Sequence, residues 1–532
     1  MIAILFVSFW LQLTLSHRLI YGGPPEQIVL NAENCDPLEE FVNLPLDHKN
    51  TSASTFPNRF YVKAEWYQKG GPVFLYDGGE NAADIGRVRS CLKTPYDDLS
   101  FFEKFLKDHG GLGIVWEHRY YGTSLPPGPN LKKSKEEDFK YLTTQQALSD
   151  VVVFADSFSR PGKAFAGLDL TPKKTPWIFV GCSYPGARAA LMRVAHPETI
   201  FASYASSAPV QAKVDMSSYW EPIWSGMRKY GYSNCTADMH AAILAIDAKL
   251  NKSAADAFEI KRRMFNCTKE PMSNRDFASF LSNLFAPSWQ SSGPGPEKSQ
   301  PGVKEMCDFI SCNTDKTKCS DSGGWAKVKG VDFTLDRLRD CIPPSASIRC
   351  DKHTVDTKVD DISWKYQYCT EWGYLMVGNP GNSQLVSKYY DLDFFREQCR
   401  CQFKPASNGP RAIPDTPKAD LINKRYGGLD MRPSRTFWTN GEFDPWSTLS
   451  PLKVDNFNIP DYDAPTTPGA PLFGKVLKNK QHCEDFNSRD EDAQKAHQLF
   501  SKALKQWLCR YTEKNKGKLN KGAENVLCPK TK

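Results

Sequence analysis

The chain has 532 residues, a length that exceeds one ordinary small domain. Hydrophobic residues make up 40% of it and aromatic residues 12%, which is enough to form a large buried core. Its 68 basic and 61 acidic side chains leave a net charge of only +7, which excludes the strongly basic surface of a nucleic-acid-binding protein. We therefore expect a soluble protein with two domains, or with one large domain that carries an insertion, and no nucleic-acid partner.

The N-terminus carries a secretion pattern. Residues 1–16 are apolar almost throughout, and the chain turns polar at His17 and Arg18. This run is too short to span a bilayer, and Thr14 and Ser16 are small residues of the kind that a signal peptidase recognises. The pattern predicts a cleaved signal peptide, and no later run is apolar enough for a membrane span.

The cysteines and the glycosylation sequons agree with entry into the secretory pathway. Sixteen cysteines, an even number, are typical of a protein that matures under oxidising conditions. Four N-x-S/T sequons predict N-glycosylation, at Asn50, Asn234, Asn251 and Asn266. We expect a secreted protein, or one delivered to a lysosome or vacuole.

The first predicted elements are short buried strands. The segment up to about residue 60 contains Asn, Pro and Asp, and we expect it to wrap the surface. Apolar runs then predict strands over 72–76 and 113–117, and a helix over 142–154 leads to the next strand. The polar residues 117–119 crowd one strand end, where a structural ion-pair cluster is favoured over catalysis.

The stretch Trp177-Ile-Phe-Val-Gly181-Cys-Ser183-Tyr-Pro-Gly186 predicts a strand, a sharp turn and a helix. A serine on such a turn is exposed above the sheet edge, next to the free amides of the helix N-terminus. Pro185 stands where this nucleophile pattern usually has a small residue, although the first turn of a helix tolerates proline. An ordinary strand–turn–helix connection is the alternative.

If Ser183 is a nucleophile, two backbone amides are candidates for binding the oxyanion. Tyr184 follows the serine directly, and Gly79 lies in the glycine pair after the strand at 72–76. The alternative for the glycine pair is a plain tight turn.

A long insertion follows the strand near residue 202. Strands near 73, 114, 178 and 202 alternate with crossovers, which indicates a parallel α/β sheet. From about 210 to 422 the pattern becomes helical and holds ten of the cysteines, and two hundred residues far exceed a normal crossover. We predict one domain formed by 17–210 and 425–532, with a disulfide-rich helical cap over 211–424.

Three cap cysteines, Cys307, Cys312 and Cys319, are close enough in sequence to suggest zinc. Their spacing lacks the paired C-x-x-C units and histidines of a structural zinc site, so disulfides are favoured.

The sheet resumes after the insertion. A strand at 435–439 is followed by Asp444, a strand at 474–477 is followed by His482, and a closing helix is predicted over 490–510. Nucleophile, acid and base in this chain order, each just after a strand, are the pattern of the α/β-hydrolase fold. A serine hydroxyl needs an imidazole to take its proton, and the imidazole needs a carboxylate to fix its tautomer.

Several motifs together resemble the S28 serine peptidases, in register from about residue 41 to 508: Gly181-Cys-Ser-Tyr-Pro-Gly186, Glu117-His-Arg-Tyr-Tyr-Gly122, Tyr368-Cys-Thr-Glu-Trp-Gly373, Asn440-Gly-Glu-Phe-Asp-Pro-Trp446 and His482-Cys483. The resemblance implies an α/β-hydrolase domain interrupted by a helical cap, and cleavage after proline, often at acidic pH. It implies Ser183 as nucleophile, Asp444 as orienting acid and His482 as general base, with Trp446 lining a proline pocket. It also implies peptide substrates and no cofactor or metal, and it leaves a homodimer open.

The cysteine pair Cys182 and Cys483, and Glu371, keep alternatives. Most relatives have Gly at the position of Cys182, and we expect this cysteine and Cys483 to have separate partners or to be free thiols rather than to bridge. Glu371 fits either a substrate amine or a cap-domain salt bridge. Trp372, with Trp446 and Tyr184, is a candidate for stacking on a proline ring.

With this resemblance, we expect an exopeptidase of the Pro-Xaa carboxypeptidase kind, although the residues themselves do not choose the mode of cleavage. A dipeptidyl peptidase or a prolyl endopeptidase of the same family is the alternative. An esterase or lipase, and a binding protein without catalysis, are weaker alternatives.

Overall fold

The computed structural model describes residues 39–50, 54–83, 100–265, 272–282, 289–290, 301–313, 318–340, 355–405, 413–464, 466–487 and 489–529. The predicted signal peptide over 1–16 and the predicted glycosylation site Asn266 lie outside the described residues.

Eight strands form one mixed sheet in the order β1-β2-β4-β3-β5-β6-β9-β10. From β4 to β10 all neighbours run parallel, whereas β2 is antiparallel to both β1 and β4. Two short strands, β7 and β8, pair separately. The strands are β1 (Glu39–Pro45), β2 (Thr55–Lys63), β3 (Val73–Asp77), β4 (Leu112–Trp116), β5 (Trp177–Cys182), β6 (Ala202–Ser206), β7 (Lys213–Asp215), β8 (Gly373–Leu375), β9 (Thr436–Gly441) and β10 (Gly474–Leu477).

The expectation that the chain before residue 60 only wraps the surface is wrong, because β1 and β2 extend the sheet there. Their inward positions are mostly apolar at every second residue, with Leu44 opposite Phe56 in the register, and the buried Asn58 interrupts this pattern between Phe56 and Phe60. Proline usually interrupts a strand, and Pro57 lies within β2. However, β4 pairs only with Phe60 to Lys63, so the Pro57 segment has a neighbour on one side and its missing amide is tolerated.

Fifteen α-helices lie in the part of the chain that the structure describes, and none of them is both long and apolar enough to cross a membrane. They are α1 (Ser100–His109), α2 (Thr144–Ser157), α3 (Tyr184–Ala195), α4 (Trp220–Lys229), α5 (Ser233–Lys252), α6 (Ala254–Phe265), α7 (Asn274–Ser282), α8 (Pro301–Ser311), α9 (Gly324–Lys329), α10 (Val331–Asp340), α11 (Val359–Gln367), α12 (Leu392–Gln402), α13 (Ala419–Tyr426), α14 (Glu491–Lys514) and α15 (Ala523–Leu527).

Both faces of the central sheet are covered by helices. Along β5, Trp177 and Phe179 belong to one apolar cluster, while Ile178 and Val180 belong to another on the opposite face. Burial on both faces explains why this strand is continuously hydrophobic instead of alternating. A mostly parallel sheet between two helical layers, with a serine elbow after β5, is the α/β-hydrolase arrangement that the sequence predicted.

The chain between β6 and β9 contains α4 to α13 and the β7–β8 pair. Disulfides join α5 to α8, Cys235 with Cys307, and the π-helix Tyr368–Trp372 to α12, Cys369 with Cys399. Cys312 and Cys319 also form a bridge, so the preference for disulfides over zinc at these cysteines is confirmed. The predicted cap boundary at 424/425 falls inside α13, and the division into domains stays a prediction.

The described sequons differ in their surroundings. Asn50 and Asn251 are exposed, whereas Asn234 is half-buried and its side chain bonds to Cys235 N and Ser320 O. Glycosylation stays a prediction at each of them.

A buried ion pair joins β3 to the helix that follows the elbow. The Arg188 guanidinium lies 2.9 Å from the Asp77 carboxylate, and both side chains are fully buried. Burial raises the pKa of Asp77, and Arg188 offsets part of that rise. The pair therefore ties the strand that precedes Gly79 to α3, the helix that follows Ser183.

Replacing Arg188 by methionine should lower the free energy of unfolding by about 3–5 kcal/mol, because Asp77 would remain charged and unpaired in the core. The loss should shrink at acidic pH, where this carboxyl takes up a proton. Urea unfolding at neutral and mildly acidic pH measures both effects. The double variant Asp77→Asn/Arg188→Met should regain most of the lost stability; a single variant as stable as the parent would contradict this assignment.

Candidate active site

Ser183 lies on a tight elbow between β5 and α3. Its backbone has φ 66° and ψ −131°, a conformation that non-glycine residues rarely adopt, and its amide donates to Ser206 O at 3.0 Å. A Cβ on Gly186 would lie 2.2 Å from Ser206 O, so only glycine allows the helix to approach the neighbouring strand this closely. The glycine that the elbow requires thus stands three residues after the serine.

Pro185 fills the position where a small residue is usual. The Cβ of any residue replacing Gly79 would lie 2.1 Å from Pro185 Cγ, and Gly79 has φ 61°. The proline therefore packs directly against the glycine turn after β3. The departure from the usual pattern is accommodated by this contact, and the elbow geometry is kept.

The base and acid candidates meet as the sequence predicts. His482 Nδ1 lies 3.0 Å and 2.9 Å from the two carboxylate oxygens of Asp444, which is fully buried. Because a carboxylate only accepts, Nδ1 carries the hydrogen and Nε2 keeps a free lone pair. Nε2 is buried and has no hydrogen-bond partner among the residues that the structure describes.

Asp444 is itself held in place by the turn that follows β9. It caps the 3₁₀-helix Pro445–Leu449, and its Oδ1 accepts the Trp446 amide at 2.8 Å. The carboxylate is therefore oriented by the backbone before it meets the imidazole.

The loop that carries His482 is fixed to the sheet by Asp485. This buried carboxylate accepts hydrogen bonds from three hydroxyls on β6 and β9, Tyr204 (2.8 Å), Ser206 (2.6 Å) and Thr439 (2.7 Å). Sequence reasoning assigned Asp485 no role. Its signal was an acid three residues after a candidate base, opposite strands rich in hydroxyl residues.

A disulfide bridge joins Cys182 to Cys483, 301 residues apart in sequence, with the Cα atoms 5.9 Å apart. The expectation of separate partners or free thiols is therefore wrong. The bridge links the residue before Ser183 to the residue after His482, so it brings these two side chains to the same edge of the sheet. No local pattern in the sequence indicates this pairing.

The two candidate oxyanion donors differ. Tyr184 is the first residue of α3, where amides have no acceptor within the helix. The Gly79 amide instead donates to Asp77 Oδ1 at 3.3 Å. This second amide is not available to an oxyanion while that bond is made.

A chain of buried hydrogen bonds runs from Tyr184 to the cap. Its hydroxyl lies 3.1 Å from His118 Nε2 and accepts from Gln367 Nε2 at 2.7 Å, and Gln367 also accepts from Tyr121. Burial, together with Arg188, holds the pKa of His118 well below its usual range. His118 is therefore a neutral acceptor of the Tyr184 hydroxyl, its Nδ1 donating to Arg119 O.

Helix α11, which carries Gln367, is also bonded to the sheet loops at its other end. Asp360 accepts hydrogen bonds from the Ala82 amide at 3.2 Å and the Gly122 amide at 2.9 Å. In the middle of the helix, Ser363 donates to Tyr120 O at 2.9 Å. Three turns of one cap helix are thus tied to the loops beside the elbow.

The polar residues after β4 have structural partners, in line with the interpretation favoured from sequence. Glu117 is fully buried and accepts from the backbone amides of Ala83, Thr123 and Ser124. Arg119 forms a bidentate ion pair with Asp150, in which Nε and Nη2 each donate to one carboxylate oxygen at 2.6 Å.

Aromatic side chains line the site beside the imidazole. The Trp446 ring centroid lies 6.5 Å from that of His482, 5.5 Å from that of Tyr219 and 5.2 Å from that of Tyr374. Trp372 is fully buried and stacks against Tyr374 at 5.4 Å. Trp372 therefore supports the ring of Tyr374 and offers no exposed face of its own in this structure.

Within the described ranges, Glu371 has no salt-bridge partner within 4 Å and no hydrogen bond to Ser183, Asp444 or His482. Its Oε2 accepts from the Thr144 amide and hydroxyl, both at 2.8 Å, at the N-terminus of α2. Burial raises the pKa of Glu371, and the bonds from Thr144 oppose that rise. The residue thus joins the cap to α2.

Comparisons with known proteins match the sequence of this chain to one family. The family model described as serine carboxypeptidase S28 matches residues 45–504. The chain is 27% identical over 446 residues to a protein named "Probable extracellular serine carboxypeptidase" from Arthroderma benhamiae, covering 76% of this chain and 58% of that protein. It is 28% identical over 427 residues to the human thymus-specific serine protease, covering 76% of each chain. The crystal structure of epoxide hydrolase A from Mycobacterium thermoresistibile aligns with a TM-score of 0.32 and 13% identity, over 87% of this chain and 98% of that one.

Proposed function

Because the chain belongs to the serine carboxypeptidase S28 family, we propose that it is a serine-type peptidase that hydrolyses peptide bonds on the carboxyl side of proline, as an exopeptidase of the Pro-Xaa carboxypeptidase kind. The observation that carries the proposal is the imidazole of His482. Its Nδ1 is held by a buried carboxylate, its Nε2 is unpaired, and its neighbour is bridged to the residue before Ser183.

In the proposed mechanism, Ser183 Oγ attacks the carbonyl carbon of the scissile bond while His482 Nε2 takes its proton. Asp444 keeps the Nδ1 tautomer and stabilises the imidazolium that forms. The Tyr184 amide binds the developing oxyanion at the helix N-terminus. His482 then protonates the leaving amine, and water hydrolyses the acyl-enzyme by the reverse sequence of proton transfers.

Preference for proline is supported by Trp446, whose ring centroid lies 6.5 Å from that of His482. The buried rings of Tyr219 and Tyr374 meet the Trp446 ring at steep angles, 78° and 73°, and hold it in place. A flat ring beside the imidazole binds a rigid, apolar pyrrolidine ring by contact area and needs no charged partner.

A carboxypeptidase is favoured over a dipeptidyl peptidase by the position of Glu371. An acid that binds a substrate amine must face the cleft, whereas Oε2 of Glu371 is directed at the N-terminus of α2 and accepts two bonds from Thr144. The dipeptidyl peptidase alternative recognises the amino end of the peptide, and the endopeptidase alternative recognises neither end.

Products from three matched peptides test the proposal by mass spectrometry. One peptide has a blocked amine and a free Pro-Xaa terminus, the second a free Xaa-Pro start and a blocked carboxyl end, and the third is blocked at both ends with an internal proline. We expect release of the terminal residue from the first peptide only, and a rate roughly 10-fold lower when alanine replaces proline.

Each other product pattern supports a stated alternative. A released Xaa-Pro dipeptide indicates a dipeptidyl peptidase, and cleavage of the doubly blocked peptide indicates an endopeptidase. Hydrolysis of simple esters without any peptide cleavage indicates an esterase. Binding of all three peptides without turnover contradicts the proposed catalysis.

Secretion, or delivery to a lysosome or vacuole, belongs to the same proposal. The disulfides are those of a protein that matures under oxidising conditions, and one relative is named as extracellular. Recovery of the protein from the medium of expressing cells, with glycans released by an amidase, would support it.

A further inference from the structure

The Cys182–Cys483 bridge lies directly against the imidazole of His482. Both sulfur atoms and a ring nitrogen of His482 lie within 4.8 Å of one another. Among the residues that the structure describes, no other group of three such side chains brings its ligand atoms so close. The cluster joins the last residue of β5, Cys182, to His482 and Cys483 in the loop after β10.

Two thiolates and one imidazole are a ligand set that zinc and similar soft divalent cations prefer. With Zn–S of about 2.3 Å and Zn–N of about 2.0 Å, the ligand atoms of one tetrahedral ion lie roughly 3.4–3.8 Å apart. The ring nitrogen lies within 4.8 Å of both sulfurs, which are bonded to each other here and would have to separate to about 3.8 Å. The Cα separation of 5.9 Å leaves side-chain rotation as the only movement that the sulfurs need.

The histidine is already prepared as a metal ligand. Its side chain is only 6% exposed, Nδ1 is held by Asp444 at 2.9 Å, and Nε2 has no partner among the described residues. A carboxylate that accepts from the far nitrogen of a metal-bound histidine is the usual second partner in zinc sites, where it fixes the ring and raises its basicity.

We propose that opening the Cys182–Cys483 bridge converts this end of the active site into a binding site for a soft divalent cation such as zinc, held by both thiolates and His482 Nε2. The reductant is a dithiol: it gives two electrons and two protons to the sulfurs, the S–S bond breaks, and the dithiol closes to its own disulfide. Metal binding then releases both thiol protons.

The oxidised and reduced forms therefore differ in the ligands that they offer to a cation. In the bridged form both sulfurs are bonded to each other, and neither is a thiolate. In the opened form the metal occupies the lone pair of Nε2, the atom to which the proposed mechanism sends the serine proton. Loss of activity with zinc rests on that proposed function, whereas metal binding does not.

Cobalt(II) is the probe, because thiolate-bound cobalt absorbs in the near ultraviolet and zinc does not. The full chain is treated with dithiol until alkylation and mass spectrometry show Cys182 and Cys483 free, and excess dithiol is removed. We expect one equivalent of cobalt to bind with thiolate-to-metal absorption, zinc to displace it, and the untreated protein to show no such absorption. Asp444→Asn should weaken binding by about 10- to 100-fold.

Controls separate the site from other thiols and from catalysis. Cys182→Ala/Cys483→Ala, treated identically, should lose the absorption, and Ser183→Ala should keep it. Should the double variant not fold, either single cysteine variant serves, with weaker binding expected. Three results would overturn the proposal. The first is absorption that persists without these cysteines, and the second is no absorption in the reduced parent. The third is a Cys182–Cys483 bridge that resists dithiol after the Cys509–Cys528 bridge has opened.

Activity gives the second readout. Zinc should inhibit the reduced protein and leave the oxidised protein unaffected. Cobalt binding without any peptidase activity in either form would uphold the metal site and contradict the proposed function instead.

Discussion

Replacing Ser183 by alanine is expected to lower kcat by about 10⁶-fold on the peptide that the protein cleaves best. The variant should keep the elbow, because alanine and serine both carry a Cβ and are equally strained at φ 66°. It loses the only atom that forms the acyl-enzyme, so the remaining rate comes from substrate binding and the oxyanion amide alone. Steady-state kinetics and labelling by an organophosphonate measure the effect.

The matched control for that experiment is Ser157→Ala, at an exposed serine in the last turn of α2. It should keep both kcat and labelling. If Ser183→Ala keeps labelling or turns over at the parent rate, another residue is the nucleophile. Unchanged thermal unfolding of Ser183→Ala shows that the loss is chemical and not a failure to fold.

Asp444→Asn is expected to lower kcat by about 10⁴-fold. The amide oxygen can still accept from the Trp446 amide, as Oδ1 does now at 2.8 Å, which leaves the amide nitrogen towards His482. That nitrogen donates, so the imidazole turns its acceptor to the amide and loses the lone pair that Ser183 needs. The pH dependence of kcat, compared with that of the parent, reports the changed tautomer.

A substitution at an exposed aspartate removes the same charge and serves as the control. Asp420→Asn lies in the first turn of α13, far along the chain from the catalytic loops, and should leave kcat and its pH profile unchanged. A similar kcat for Asp444→Asn and the parent would show that the buried carboxylate serves stability and not the reaction.

Elements with a local signal could be predicted from the sequence. Strands β3, β4, β5, β6, β9 and β10 are short apolar runs followed by a turn, so their positions were expected, and the side chains just after them share one sheet edge. Thr143 and Asp490, at predicted helix starts, do cap α2 and α14. The meeting of Asp444 and His482 follows from these local patterns.

Features that depend on distant residues could not be predicted. β1 and β2 are recognised only through their register with each other and with β4, which a proline and an asparagine concealed. The Cys182–Cys483 bridge joins positions 301 residues apart. Glu371 finds Thr144 only because the cap folds back onto α2. In each case the tertiary fold determines which distant residue becomes the partner, and the local sequence does not indicate it.

Hydrogen bonds along α11 hold this helix against the loops beside Ser183. Moving it away would leave the buried Tyr121 hydroxyl without its acceptor and the half-buried Gly122 amide without Asp360, at a cost of roughly 1–3 kcal/mol for each group. We therefore expect α11 to stay in place while a peptide binds, so that substrate entry does not require this helix to move.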